Sequence, residues 1–181
     1  MTFVPAAILI LTLLTGAALA VYPEDEEHSP PVPTPTSSDC PDGKAWDAGL
    51  ERCIDLKAGS FTDNDRYRAA RELAYADRFT AADLALDAMV NQLDPRLLTY
   101  RGFLARKRGD WPAAEGFYQA ALQADPDNLL ARSYLGMGLI VNGNLTRAFL
   151  ELKEIQARGG RGTWPEQALL EAIRSGGSTA Y

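Results

Sequence analysis

Residues Pro95 to Asn128, PRLLTYRGFLARKRGDWPAAEGFYQAALQADPDN, are echoed on both sides, and this self-similarity constrains the fold more than any other feature. Shifted on by 34, Leu129 to Gly162 places Leu135, Gly136, Leu139, Gly143, Ala148, Leu152 and Ile155 at the equivalent positions, with Gly160 where the central copy has Pro126. Shifted back by 32, Asp63 to Asp94 keeps Leu73, Phe79, Ala82, Leu86 and Met89, with Asp77 at the turn. A period of this length belongs to units that bury a face only by stacking on the next unit.

The central unit reads as two helices. Asp110-Trp111-Pro112 is a helix start, because an Asp cap accepts from orphan amides and Pro is tolerated in the first turn. Gly109 suits the end of the preceding helix, where a positive φ is needed, and Asp125-Pro126 ends the second. Leu98, Gly102 and Ala105 share one helical face; Ala114, Phe117, Ala121 and Leu122 share another. Gly102, Ala114 and Ala121 let two helices approach closely, while Trp111, Tyr118 and Leu122 fill the space around them. A plain helical bundle is the alternative reading of the same spacing.

Gly102, Gly109, Trp111, Ala114, Tyr118, Ala121 and Pro126 hold the places of the tetratricopeptide repeat, which this unit resembles; Leu98 and Arg101 depart from its pattern. The resemblance implies an all-α, right-handed α-solenoid of about three helix–turn–helix repeats plus a C-terminal capping helix. It also implies a groove lined by the first helices of successive repeats. The groove-facing positions are then Asn64, Tyr67, Arg71 and Tyr75 from the first repeat, Thr99, Phe103, Arg106 and Lys107 from the second, and Ser133, Met137 and Ile140 from the third. Tyr67 and Phe103 have packing as an equal alternative. Such a surface suits an extended protein or peptide ligand with apolar anchors and some acidic character. The family's clamp for a terminal carboxylate is not reproduced, because its places hold Tyr67, Arg71, Tyr100, Leu130 and Tyr134.

The chain as a whole divides into five parts. Residues 1–20 carry no charged side chain, and the Ile8–Leu14 apolar run with Ala18-Leu19-Ala20 reads as a secretory signal peptide cut after Ala20. An uncleaved membrane anchor is the alternative, and only then is a membrane a partner. Either way the product leaves the cytoplasm, so a periplasmic or secreted location is expected. Residues 21–39, rich in Pro and acids, read as a disordered tether. The formal net charge of −6 splits as −5 in residues 1–40 and −1 in the remainder, so the repeat body is nearly neutral and nucleic acid is an unsuitable partner. The run Glu24 to Glu27 is complementary to Arg71, Arg106 and Lys107.

Residues 40–60 hold the only two cysteines, Cys40 and Cys53, which in an exported protein read as a disulfide closing a loop with the turn Pro41-Asp42-Gly43. The repeat domain and its cap cover 61–175, with residues 176–181 as a frayed tail. Thr62 or Asp63 caps the first helix; Thr80 with Asp83, and Thr163 with Glu166, read as capping boxes. Further helices are expected at 95–108, 111–124, 128–142 and 145–158.

No nucleophile constellation, phosphate loop or metal-ligand set is visible, and the single histidine, His28, lies in the tether. The expectation is therefore a non-enzymatic scaffold without catalytic residues, cofactor or metal, serving envelope or secretion assembly. A glycan-associated subunit of cell-wall machinery, using Trp46, Trp111 or Trp164, is the alternative.

Overall fold

The structure, a computed structural model, describes residues 29–178. The expected signal segment, the acidic run and His28 lie outside the described residues. From Thr34 on, the expected tether is ordered. Thr34 caps a four-residue helix, α1 (Pro35–Ser38), in a capping box with Ser37, and Thr36 is buried. A hairpin follows, β1 (Lys44–Asp47) antiparallel to β2 (Arg52–Asp55), pairing Trp46 with Cys53. The Asp47 carboxylate accepts from the Gly49 and Leu50 amides at 2.9 Å each and shapes the turn. Cys40 and Cys53 are disulfide-bonded, as expected from the sequence. The hairpin itself is a departure from the all-α expectation, confined to this stapled segment. The disulfide fits an oxidising, non-cytoplasmic compartment.

Seven helices make up the rest, and the described chain is mostly helical: α2 (Asp63–Tyr75), α3 (Phe79–Asp87), α4 (Pro95–Lys107), α5 (Trp111–Ala124), α6 (Leu129–Val141), α7 (Leu145–Ala157) and α8 (Trp164–Arg174). They form three consecutive helical hairpins, α2–α3, α4–α5 and α6–α7, with α8 against α6 and α7. Starts of the first helices fall at 63, 95 and 129, and of the second helices at 79, 111 and 145. Those intervals of 32 and 34 are the ones read from the sequence. Thr62, Asp94 and Asn128 cap the first helices through their side chains.

The turn inside each hairpin needs a left-handed residue. Gly109 (φ 82°) and Gly143 (φ 79°) supply it without a Cβ clash, and Asp77 (φ 57°) adopts it in the first hairpin. Small residues admit large ones across the helix contacts. A Cβ on Gly102 would come 2.5 Å from the Tyr118 ring, one on Gly136 2.7 Å from Leu169, and one on Gly138 2.1 Å from Trp111. One continuous core links Ala45 of β1 and Leu56, just after β2, through all three helical hairpins, to Leu169 and Ala172 of α8.

Two expected caps differ. The helix α3 begins at Phe79 after Arg78 with no side-chain cap, so Thr80 lies inside its first turn instead of capping it, and Asp83 pairs with Arg101 and Arg108. At α8 neither bond of the box forms, because the Glu166 carboxylate reaches one residue past the cap. Glu166 accepts from the Gly162 amide at 2.7 Å, while the Thr163 hydroxyl donates to the Gly160 carbonyl at 2.6 Å.

Candidate functional site: the face shared by the first helices

The helices α2, α4 and α6 meet along a column of aromatic rings. Tyr67 meets Tyr100 edge-on at 5.7 Å, Tyr100 lies 5.8 Å from Phe103, and Phe103 lies 5.2 Å from Tyr134. Tyr75 stacks flat on Phe103, 5.7 Å away, and its hydroxyl shares a 2.7 Å hydrogen bond with that of Tyr134. Trp164 of α8 closes the column, edge-on to Tyr134 at 6.3 Å. Each such pair contributes about 0.5–1.5 kcal/mol beyond its buried area, so the column holds the three helices together.

Cations cover it. The Arg71 guanidinium lies 5.6 Å from the Tyr67 ring and donates to the Tyr100 hydroxyl at 3.4 Å and to the Ser29 carbonyl at 2.6 Å. Arg106 lies 5.5 Å from the Phe103 ring and 5.9 Å from that of Tyr134. Lys107 is 5.9 Å from both Phe79 and Phe103 and pairs with Asp77 at 3.6 Å. Cations held over aromatic faces keep their charge while their stems bury apolar area.

The structure thus brings together six of the expected groove residues: Tyr67, Arg71, Tyr75, Phe103, Arg106 and Lys107. Tyr67 and Phe103 are buried, so they shape the face from beneath; Tyr75 and Arg106 are half-buried and Lys107 is exposed. Asn64 stands apart at the start of α2, accepting from Arg96 at 3.1 Å. Ile140 is half-buried near the end of α6.

Three residues do not line a groove. Ser133 and Met137 are fully buried, and the Ser133 hydroxyl donates to the Pro165 carbonyl at 2.8 Å. The helix α8 packs on α6 where the third unit's share of the face would open. Thr99 is also buried, its hydroxyl donating to Pro95 and accepting from Asn128 at the α4–α6 contact. Conversely, Tyr100 and Tyr134 join the column without having been singled out for it. Their signal was recurrence at an interval of 34.

The phenols are poor acid–base groups. Burial pushes Tyr118 up to about 12, with Arg106 close enough to pull it partly back although no hydrogen bond of good geometry forms. Burial, reinforced by Tyr100 and Tyr75, raises Tyr134 well above the usual phenol range. Both stay neutral at physiological pH. Among the described residues no group of three or more potential ligands is placed to hold a metal ion, and no helix is long and apolar enough to cross a membrane.

A second concavity lies elsewhere. A cleft of about 350 Å³ between the hairpin and α2 is lined by Trp46, Phe61, Asp65, Arg68 and Glu72, among others. Of the tryptophans, Trp111 is packed on Gly138 and Trp164 on Tyr134, whereas Trp46 borders this cleft.

In comparisons with known proteins, no family model, curated protein or solved structure matches this chain.

Proposed function

We propose that the chain is an exported tetratricopeptide scaffold without enzymatic activity. It is a right-handed α-solenoid of three repeats, α2–α3, α4–α5 and α6–α7, closed by α8. It works in the periplasm, or is secreted, after cleavage of the signal segment at Ala20. It holds a protein or extended peptide partner for the assembly of an envelope or secretion complex. One observation carries the reading. The same capped hairpin recurs at 32 and 34 residues, and its first helices bring aromatic rings and cations to one shared face. Stacked repeats of this length present such faces for binding. The closed disulfide supports the location.

The test is photocrosslinking in the native envelope. The probes belong at Tyr75 and Lys107, the half-buried and exposed members of the face, rather than at buried Tyr67 and Phe103. One dominant protein adduct, lost when Arg106 is replaced by Glu, supports the scaffold. No protein adduct at either position overturns it.

The cleft favours a second reading, a glycan-associated subunit, because Trp46 and Phe61 flank it beside polar side chains. Retention on purified cell wall that disappears in Trp46→Ala supports that reading; no retention removes it.

A further inference from the structure

Arg71 is 5% exposed, yet among the described residues no carboxylate pairs with it. Its contacts are neutral: the Ser29 carbonyl, the Tyr100 hydroxyl and the Tyr67 ring. Withdrawing a guanidinium from water is costly, and an anion in the same site offsets that cost. Nearby carboxylates are committed elsewhere. Asp77 faces Lys107, Asp83 faces Arg101 and Arg108, and Glu72 accepts from the Thr34 hydroxyl. Arg106 and Lys107 continue the positive strip along α4.

The Arg71–Ser29 bond also fixes where the upstream chain begins. The acidic run Glu24-Asp25-Glu26-Glu27 ends two residues before Ser29 and starts five before it. At about 3.3–3.6 Å per extended residue, these carboxylates stay within roughly 7 to 18 Å of the anchored carbonyl. The positive strip starts at that anchor, on Arg71, and runs on beside the aromatic column to Arg106. Tyr100 contacts Arg71, Phe103 is 5.8 Å from Tyr100, and Arg106 is 5.5 Å from Phe103.

We propose that Glu24–Glu27 docks intramolecularly on the inner face of α2 and α4, its carboxylates completing an anion site made by Arg71, Arg106 and Lys107. A segment tethered this closely acts at an effective concentration in the millimolar range, so an outside ligand of the face must displace it. The displacing ligand is then an acidic peptide, with aromatic or proline residues beside its carboxylates as Tyr22 and Pro23 stand beside Glu24. The docking does not depend on the proposed function; only its role as a competitor rests on that reading.

The test uses the full chain recovered from an exporting host, with a photoreactive residue at Tyr22. One form keeps the native acids, and the other carries E24Q, D25N, E26Q and E27Q. The four substituted positions precede the described residues, so none of them replaces a residue of the helical core. The expected result is adducts within one chain to peptides of α2 and α4, falling about fivefold or more when the acids are neutralised or salt is raised to about 0.5 M. Adducts scattered over the surface, adducts between two copies, or yields unchanged by neutralisation overturn the proposal. The readout is contact within one chain, so its failure leaves partner capture in the envelope as a separate question. Failed capture alongside this adduct removes the scaffold reading and keeps the docking.

Discussion

The two ends of the helical stack are closed by different physics. At the C-terminal end, α8 is an eleven-residue helix that buries Ala168, Leu169 and Ala172, with Leu169 seated over Gly136. At the N-terminal end, a four-residue helix and two four-residue strands bury little more than Thr36, Cys40, Ala45 and Leu56. An isolated hairpin of that size is marginal. It is held by a covalent bond and by polar staples instead. Thr36 accepts from the Trp46 amide at 2.8 Å, Arg66 donates to the Leu56 and Ala58 carbonyls, and Arg78 reaches the Thr36 and Ser37 carbonyls and Asp42. A long element closes an end by packing; a short one borrows a crosslink and arginines.

The contrast breaks first at Leu169. Replacing it with Ala removes a fully buried side chain, and the expected loss is about 2–5 kcal/mol in urea unfolding. A loss below about 1 kcal/mol means that packing is not what holds α8. The next effect is at the other end. Serine at both Cys40 and Cys53 removes the closure of the loop, worth about 3 kcal/mol on chain-entropy grounds. The hairpin amides then exchange freely while α4 to α8 keep their protection. Simultaneous loss of protection in α8 shows that the two ends are one cooperative unit.

Acid sharpens the comparison further, because each end has one carboxylate locked by amides. For Asp63, burial pushes the pKa up, but the Asn91 and Val90 amides and Arg66 outweigh it and hold the group below its ordinary value. Glu166 is lowered by the Gly162 amide and Gln156. A lowered folded pKa gives stability that is full above the unfolded value and is lost as pH falls through the folded one. Stability is therefore expected to decline below about pH 4.5. Asp63→Asn and Glu166→Gln each flatten that decline, by less than either change above; urea midpoints at pH 7 and pH 3 measure it. An unchanged slope in both variants removes these carboxylates from the account.

The smallest effect compares the turns of neighbouring hairpins. Gly109→Ala forces a Cβ into left-handed backbone and costs about 1–2 kcal/mol. Asp77→Gly relieves a milder strain and loses an exposed ion pair with Lys107, so its net change stays within about 1 kcal/mol. If Asp77→Gly stabilises by more than that, the hairpin beside the N-terminal cover carries more backbone strain than its neighbours.

The periodicity of caps and turn residues made the helical hairpins legible in the sequence to within a residue or two. The intervals of 32 and 34 reappear in the helix starts, and Asp77 takes the conformation its register demanded. The short elements were hidden for a physical reason. KAWD and RCID are too brief to show alternation, and a proline-rich approach to α1 reads as linker. Helix phase told which face Thr99, Ser133 and Met137 occupy. It could not tell that α8 and Asn128 cover that face, because burial there is decided by contacts 29 and 32 residues away in sequence.

The phenol pair Tyr75–Tyr134 joins residues 59 apart, from the first hairpin to the third. A stack whose units touch only their neighbours stretches like a soft spring, each joint yielding a little. A strap from the first unit to the third removes that compliance. Pulling on the ends of this chain should meet stiff resistance up to the load at which the strap parts, and then a sudden release.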